Sequence, residues 1–131
     1  MRALDVAGRP SDHATMADDK IETIASSSSG TIGRARNEVR GVSVPFDSSS
    51  RPQPDAFTNS EAFLASVSSC GVTLIEMHAK ETGVPLGRMT VTIEGRRPPT
   101  QPRFSAVTMT FELAGVSQAQ ADQLVETYRQ R

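Results

Sequence analysis

Residues 58–81, TNSEAFLASVSSCGVTLIEMHAKE, hold the only cysteine of the 131-residue chain and its longest helical pattern. Apolar side chains recur there at spacings of four and three, which is the period of one helical face. They are Phe63, Val67, Cys70, Leu74 and Met77. A neighbouring face consists of Leu64, Gly71, Ile75 and Ala79. The pattern predicts a mostly buried central helix with Cys70 on the side that faces the core.

Sequence signals mark both ends of this helix. Thr58 is followed three residues later by Glu61, and this pair is typical of a capping box at a helix N-terminus. Gly83 followed by Pro85 is typical of the segment just after a helix C-terminus. The helix is therefore expected to begin directly after Thr58 and to end before Gly83.

The rest of the chain alternates between strand and helix signals. Residues 89–94 and 107–113 place apolar side chains at every second position, as half-buried strands do. Shorter strand-like segments precede the central helix at 21–25, 31–36 and 39–46, with turns expected at 26–30 and 36–38. Ser117 and Gln120 form a second capping box, which opens a C-terminal helix. This order predicts an α+β fold: an antiparallel sheet with a buried central helix and a C-terminal helix.

Composition narrows the function classes. The 131 residues suit one domain, and 15 acidic residues against 14 Lys plus Arg give no basic surface for nucleic acid. Residues 1–19 lack apolar periodicity and are expected to form a disordered tail before a domain at 20–131. No segment is read as a signal peptide or as a bilayer span. These features predict a cytoplasmic protein without a membrane or nucleic-acid partner.

Cys70 is the first candidate for chemistry. Only a thiolate is reactive, and a helix N-terminus or a nearby cation must favour it. Cys70 lies twelve residues beyond Thr58, which is too far for the helix dipole, so an arginine from elsewhere would be required. His78 is eight residues away, ~12 Å along a helix, and cannot pair with the thiol directly. The competing interpretation is an inert cysteine that packs as a small apolar side chain in the core.

Glu61 is the second candidate, although its capping role alone explains it. Nine residues separate it from Cys70, or ~13 Å along a helix, so the two side chains of one chain cannot touch. Glu61 could instead orient an arginine, or serve a thiol across a subunit interface. One cysteine and two separated histidines exclude a plausible zinc site, and no cofactor fingerprint occurs. No metal and no cofactor are therefore predicted.

Several segments resemble one known family. Residues 59–70, NSEAFLASVSSC, resemble the N-P-E-x-L-L-x-A-x-x-x-C segment of the OsmC/organic hydroperoxide resistance (Ohr) family. Residues 79–95, AKETGVPLGRMTVTIEG, resemble its G-hydrophobic-P-L turn into a strand, and residues 103–113 with the Ser117 helix follow in order. The resemblance covers roughly residues 20–131.

The resemblance implies an intertwined homodimer whose central helices pack together. Active members are thiol peroxidases (peroxiredoxin-like), and the cysteine matching Cys70 attacks the peroxide and becomes a sulfenic acid. An arginine from the N-terminal half activates it, and the glutamate matching Glu61 holds that arginine. Arg51 is the first choice for this arginine, with Arg40 and Arg36 as alternatives. A second cysteine then forms a disulfide, which an external dithiol reduces.

This chain departs from the family pattern at informative positions. It has no second cysteine, it ends where a Cys-Pro pair and a final strand are expected, and Ser60 replaces a proline. The resemblance therefore implies a shortened domain that reduces organic hydroperoxides through Cys70 in the response to oxidative stress. An external thiol or dithiol would restore Cys70. The alternative is a non-catalytic binding or structural protein of the same fold with an inert Cys70 in its core.

Overall fold

The computed structural model describes residues 18–131. The expected N-terminal tail, residues 1–19, lies almost entirely outside the described residues. The elements in chain order are β1 Ala25–Ser28, β2 Arg34–Val39, β3 Val42–Asp47, β4 Phe57–Thr58, α1 Asn59–Thr82, β5 Met89–Arg96, β6 Ala106–Leu113 and α2 Gln118–Arg129. This arrangement confirms the predicted α+β fold.

The described strands form two sheets rather than the single sheet expected. Strands β1, β2 and β3 are antiparallel neighbours, and the two-residue β4 joins β3 in parallel. Strands β5 and β6 form a separate antiparallel hairpin in which Met89 lies opposite Leu113. The alternating pattern predicted this hairpin correctly, because one face of each strand contacts the core.

The predicted boundaries upstream of α1 are wrong by several residues. Residues 26–28 form a strand instead of a turn, and residues 36–38 lie inside β2. The hairpin turn falls at Arg40 and Gly41, both of which have positive φ. Strand β1 is exposed along its whole length. It is held by backbone pairing with β2, so its serines leave no apolar signal in the sequence.

Helix α1 begins and ends where its capping signals predict. The Thr58 side chain accepts a hydrogen bond from the Glu61 N–H, and the Glu61 carboxylate accepts one from the Thr58 N–H. Gly83 follows the helix in the left-handed conformation with φ of 70°. Glycine adopts this conformation at little energetic cost because it has no Cβ. Strand β4 ends at Thr58, so strand and helix are joined without a loop.

Of the two apolar faces of α1, the one without Cys70 contacts the core. The face that contacts the core contains Gly71, Ile75 and Ala79, and Ile75 is only 1% exposed. On the other face, Phe63 is 57% exposed and Met77 is 59% exposed. The prediction that Cys70 lies on the core-facing side is wrong for the single chain, because its thiol is exposed. Periodicity identified both faces but could not rank them.

The core lies between α1, α2 and the β5–β6 hairpin. Gly71 allows this close packing, since a Cβ there would lie 3.5 Å from the Phe111 ring and 3.7 Å from Tyr128. The fully buried apolar residues of this core are Ile75, Ala79 and Leu124. Around them pack partly buried residues of the neighbouring elements, namely Val84, Leu86, Met89, Phe111, Leu113, Val125 and Tyr128.

By length and composition, α1 could cross a membrane, contrary to the expectation that no segment is long enough. Among residues 18–131 it is the one helix that passes this test. The core helices of water-soluble proteins pass it as well, and one face of α1 packs against β5 and α2. The helix is therefore weak evidence for a membrane protein.

Candidate functional site

Cys70 lines a depression of about 500 Å³ between the middle of α1 and the end of α2. Helix α1 contributes Cys70 with apolar and small polar residues, and α2 and the residues after it contribute one tyrosine and two arginines. The lining residues are Ser66, Val67, Cys70, Leu74, Tyr128, Arg129 and Arg131. An exposed thiol that shares a depression with arginine residues is an arrangement that can support thiolate chemistry.

Tyr128 fixes the last turn of α2 against α1. Its hydroxyl donates a hydrogen bond to the Val67 carbonyl oxygen at 3.4 Å and contacts the Met109 sulfur at 3.7 Å. Its ring lies 5.7 Å from that of Phe111, measured between centroids. Because Val67 lies three residues before Cys70, these contacts place the end of α2 beside the turn that carries the thiol.

Glu61 lies at the start of α1 and completes the capping box. Its Oε2 accepts a hydrogen bond of 2.9 Å from the Thr58 N–H. It does not line the depression that contains Cys70. The structure therefore places the two predicted residues apart within one chain, as the helical spacing requires.

Arg51 lies in the loop before β4 and is also separated from Cys70. It is exposed and lines a different depression, of about 360 Å³, together with residues of 31–34 and 53–55. The two alternatives are no closer to the thiol's depression: Arg36 bonds Glu38 at 2.7 Å, and Arg40 occupies the β2–β3 turn. Within the single chain, none of these three arginines lines the depression of Cys70.

A different arginine of the N-terminal half forms the strongest charge cluster among the described residues. Arg34 donates hydrogen bonds to Asp47 at 2.7 and 3.0 Å, and to Asp55 at 2.9 and 2.6 Å. These bonds lower the pKa of Asp47, although its burial acts in the opposite direction. They also lower the pKa of Asp55 and raise that of Arg34. This cluster fastens the loop that carries Arg51 to the strands.

The start of α1 is held by the loop that joins β5 to β6. Ser60 shares a hydrogen bond of 2.6 Å with Ser49 and accepts another from Arg97. The Arg97 guanidinium lies 5.0 Å from the centre of the Phe104 ring, which stacks on Phe63 at 6.3 Å. The Ser60 N–H also donates to Ser49, and a proline at this position would have neither the N–H nor the hydroxyl.

Tyr128, Arg129 and Arg131 were not predicted from the sequence as neighbours of Cys70. The second capping box predicted α2, and Tyr128 shares one face of that helix with Ala121, Leu124 and Val125 by its spacing in the sequence. No sequence signal specified which turn of α1 this face contacts. Within residues 18–131, no group of three or more His, Cys, Asp or Glu side chains could hold a metal ion.

Comparisons with known proteins give a match to one protein family and several solved structures with a similar fold. The OsmC-like protein family model matches residues 52–131. No curated protein matches the chain by sequence. The OsmC like protein from Mycoplasma pneumoniae is similar in structure, with a TM-score of 0.71 and 16% identity over 86% of this chain and 83% of that chain.

Two similar structures have more specific names. An organic hydroperoxide resistance protein from Elizabethkingia anophelis has a TM-score of 0.60 and 17% identity, with 88% of this chain and 85% of that chain covered. The organic hydroperoxide resistance protein OhrB of Bacillus subtilis has a TM-score of 0.56 and 14% identity, with 85% and 84% covered. At these identities the structures show a shared fold, and the family model covers more than half of the sequence. The chain belongs to the OsmC-like family.

Proposed function

We propose that the protein is a thiol peroxidase that reduces organic hydroperoxides through Cys70. The Cys70 thiolate attacks the terminal oxygen of ROOH, the O–O bond breaks, and ROH leaves after taking up a proton. Cys70 is then a sulfenic acid. This proposal rests on one observation above all: the only cysteine of an OsmC-like chain is exposed in a depression that two arginines also line.

An external thiol completes the proposed cycle, because the 131 residues contain no second cysteine. The incoming thiol attacks the Cys70 sulfur, an S–S bond forms, and the oxygen leaves as water. A second thiol releases the first as a disulfide and restores Cys70. In total, ROOH and two thiols give ROH, one disulfide and water. We assign this cycle to defence against oxidative stress in the cytoplasm.

The names of two similar structures support the peroxide assignment. The proteins from Elizabethkingia anophelis and Bacillus subtilis are called organic hydroperoxide resistance proteins. The exposed thiol also argues against the alternative in which Cys70 is an inert residue of the chain's own core. A non-catalytic binding protein of this fold is then the competing outcome of the experiment below.

We also propose that two chains form an intertwined homodimer. Large apolar side chains remain exposed on α1 and on β3 and β4, namely Phe63, Met77, Val42, Val44 and Phe57. A groove of about 540 Å³ between β3, β4 and α1 is lined largely by apolar side chains. Large exposed apolar side chains and apolar grooves are typical of association sites in proteins. Sedimentation at micromolar concentration should give about twice the 14.1 kDa chain mass, whereas a stable monomer would refute the homodimer.

Arg51 and Glu61 retain their proposed roles only through such a partner. Because Arg51 and Cys70 line separate depressions of one chain, Arg51 would have to reach the thiol of the second chain. Glu61 would then hold that arginine. Arg51→Gln should slow oxidation of Cys70 by cumene hydroperoxide at least ~10-fold if Arg51 activates the thiolate. A rate equal to that of the unmodified protein would remove Arg51 from the site.

The central test is oxidation of Cys70 itself. The protein is treated with one equivalent of cumene hydroperoxide, and mass spectrometry follows addition of oxygen to Cys70. Cys70→Ser serves as the control, since it changes only the sulfur atom to oxygen. Rapid formation of one oxygen adduct, reversed by an added thiol, supports the peroxidase. A Cys70 that oxidises no faster than free cysteine at neutral pH would favour the non-catalytic alternative.

A further inference from the structure

We draw no further inference here: the strongest candidate, the apolar groove of about 540 Å³ between β3, β4 and α1, belongs to the surface already assigned to the proposed homodimer, and nothing else among residues 18–131 shows what would occupy it.

Discussion

Arg34 binds the buried carboxylate of Asp47 on the adjacent strand, with 2.7 Å between its Nε and Oδ1. Asp47 is 2% exposed, and the same guanidinium reaches Asp55 in the loop before β4. One cation thus joins the β2–β3 hairpin to the segment that leads into α1. Its loss would leave a buried carboxylate without its partner, which is a costly arrangement in proteins.

The first prediction concerns stability in acid. Because the pKa of Asp47 and that of Asp55 are lower in the folded protein, their stabilising contribution is complete above the ordinary aspartate value of about 3.9. It is lost as the pH falls through the lower folded values. Melting temperature measured against pH should therefore fall below about pH 4, and this part of the fall should be absent in Arg34→Gln.

Arg36→Gln is the matched control for Arg34→Gln. Arg36 lies on the same strand but pairs with an exposed carboxylate, that of Glu38. Its loss should change the free energy of unfolding by no more than about 0.5 kcal/mol at pH 7. Arg34→Gln should lower stability severalfold more than this control. Equal effects of the two variants would refute the role assigned to the Arg34 cluster.

The second prediction concerns Glu61. Glu61→Gln should cost well under ~1 kcal/mol of stability, because glutamine also completes a capping box. If Glu61 holds an activating arginine across a subunit interface, the same change should slow reduction of cumene hydroperoxide. Urea denaturation and peroxide kinetics on one preparation separate the two roles. Unchanged kinetics would leave Glu61 with its capping role alone.

The third prediction concerns Gly95 in β5. A Cβ at this position would lie 2.6 Å from the nearest atom of the Phe104 ring, which is held between Arg97 and Phe63. Gly95→Ala should therefore cost about 1–3 kcal/mol through overpacking. Adding Phe104→Ala should remove most of that extra cost, as a double-mutant cycle would show.

Gly87→Ala is the control for this substitution, since a Cβ there would meet Ala114 at an ordinary 3.5 Å. It should change stability by less than about 0.5 kcal/mol. A Gly95→Ala protein as stable as Gly87→Ala would mean that the ring moves aside without cost, and that the β5–β6 loop is not fastened to α1 as described.

The fourth prediction concerns excess peroxide. With no second cysteine in the 131 residues to form a disulfide, the Cys70 sulfenic acid should react further to sulfinic acid, which is largely irreversible. Mass spectrometry should show one oxygen adduct after one equivalent of cumene hydroperoxide and two after an excess. An added small thiol should protect Cys70 if present beforehand. Recovery of full activity by thiol added afterwards would contradict this course.

Much of the fold could be predicted because its signals are local. The capping boxes at Thr58 and Ser117 and the alternation in β5 and β6 depend on neighbouring residues alone. The Arg34–Asp47 pair could not be found because the β2–β3 turn was predicted four residues too early. Once that turn is placed at residues 40 and 41, the antiparallel register sets Arg34 opposite Asp47.

The candidate site was harder to predict because it depends on contacts distant in sequence. The periodicity of α1 gave two apolar faces, and only the packing of α2 and the hairpin shows that Ile75, not Cys70, faces the core. The proximity of Arg129 to Cys70 depends on where Tyr128 contacts α1, and 61 residues separate Tyr128 from its partner Val67. The apolar pattern of each helix does not specify which residues of two distant helices contact each other.

Because β4 joins α1 directly, the number of helical residues after Thr58 sets the position of the Cys70 thiol relative to the sheet. Thr58 is held in the sheet and also caps the helix, so the direction of the Cys70 side chain depends on the number of residues between them. Deleting one of those residues would turn the thiol by about 100° around the helix axis and draw it ~1.5 Å closer to the strand. Removing a whole turn would restore the direction but move the sulfur ~5 Å along the axis, out of register with Arg129. In this segment, point substitutions can be neutral where insertions and deletions cannot.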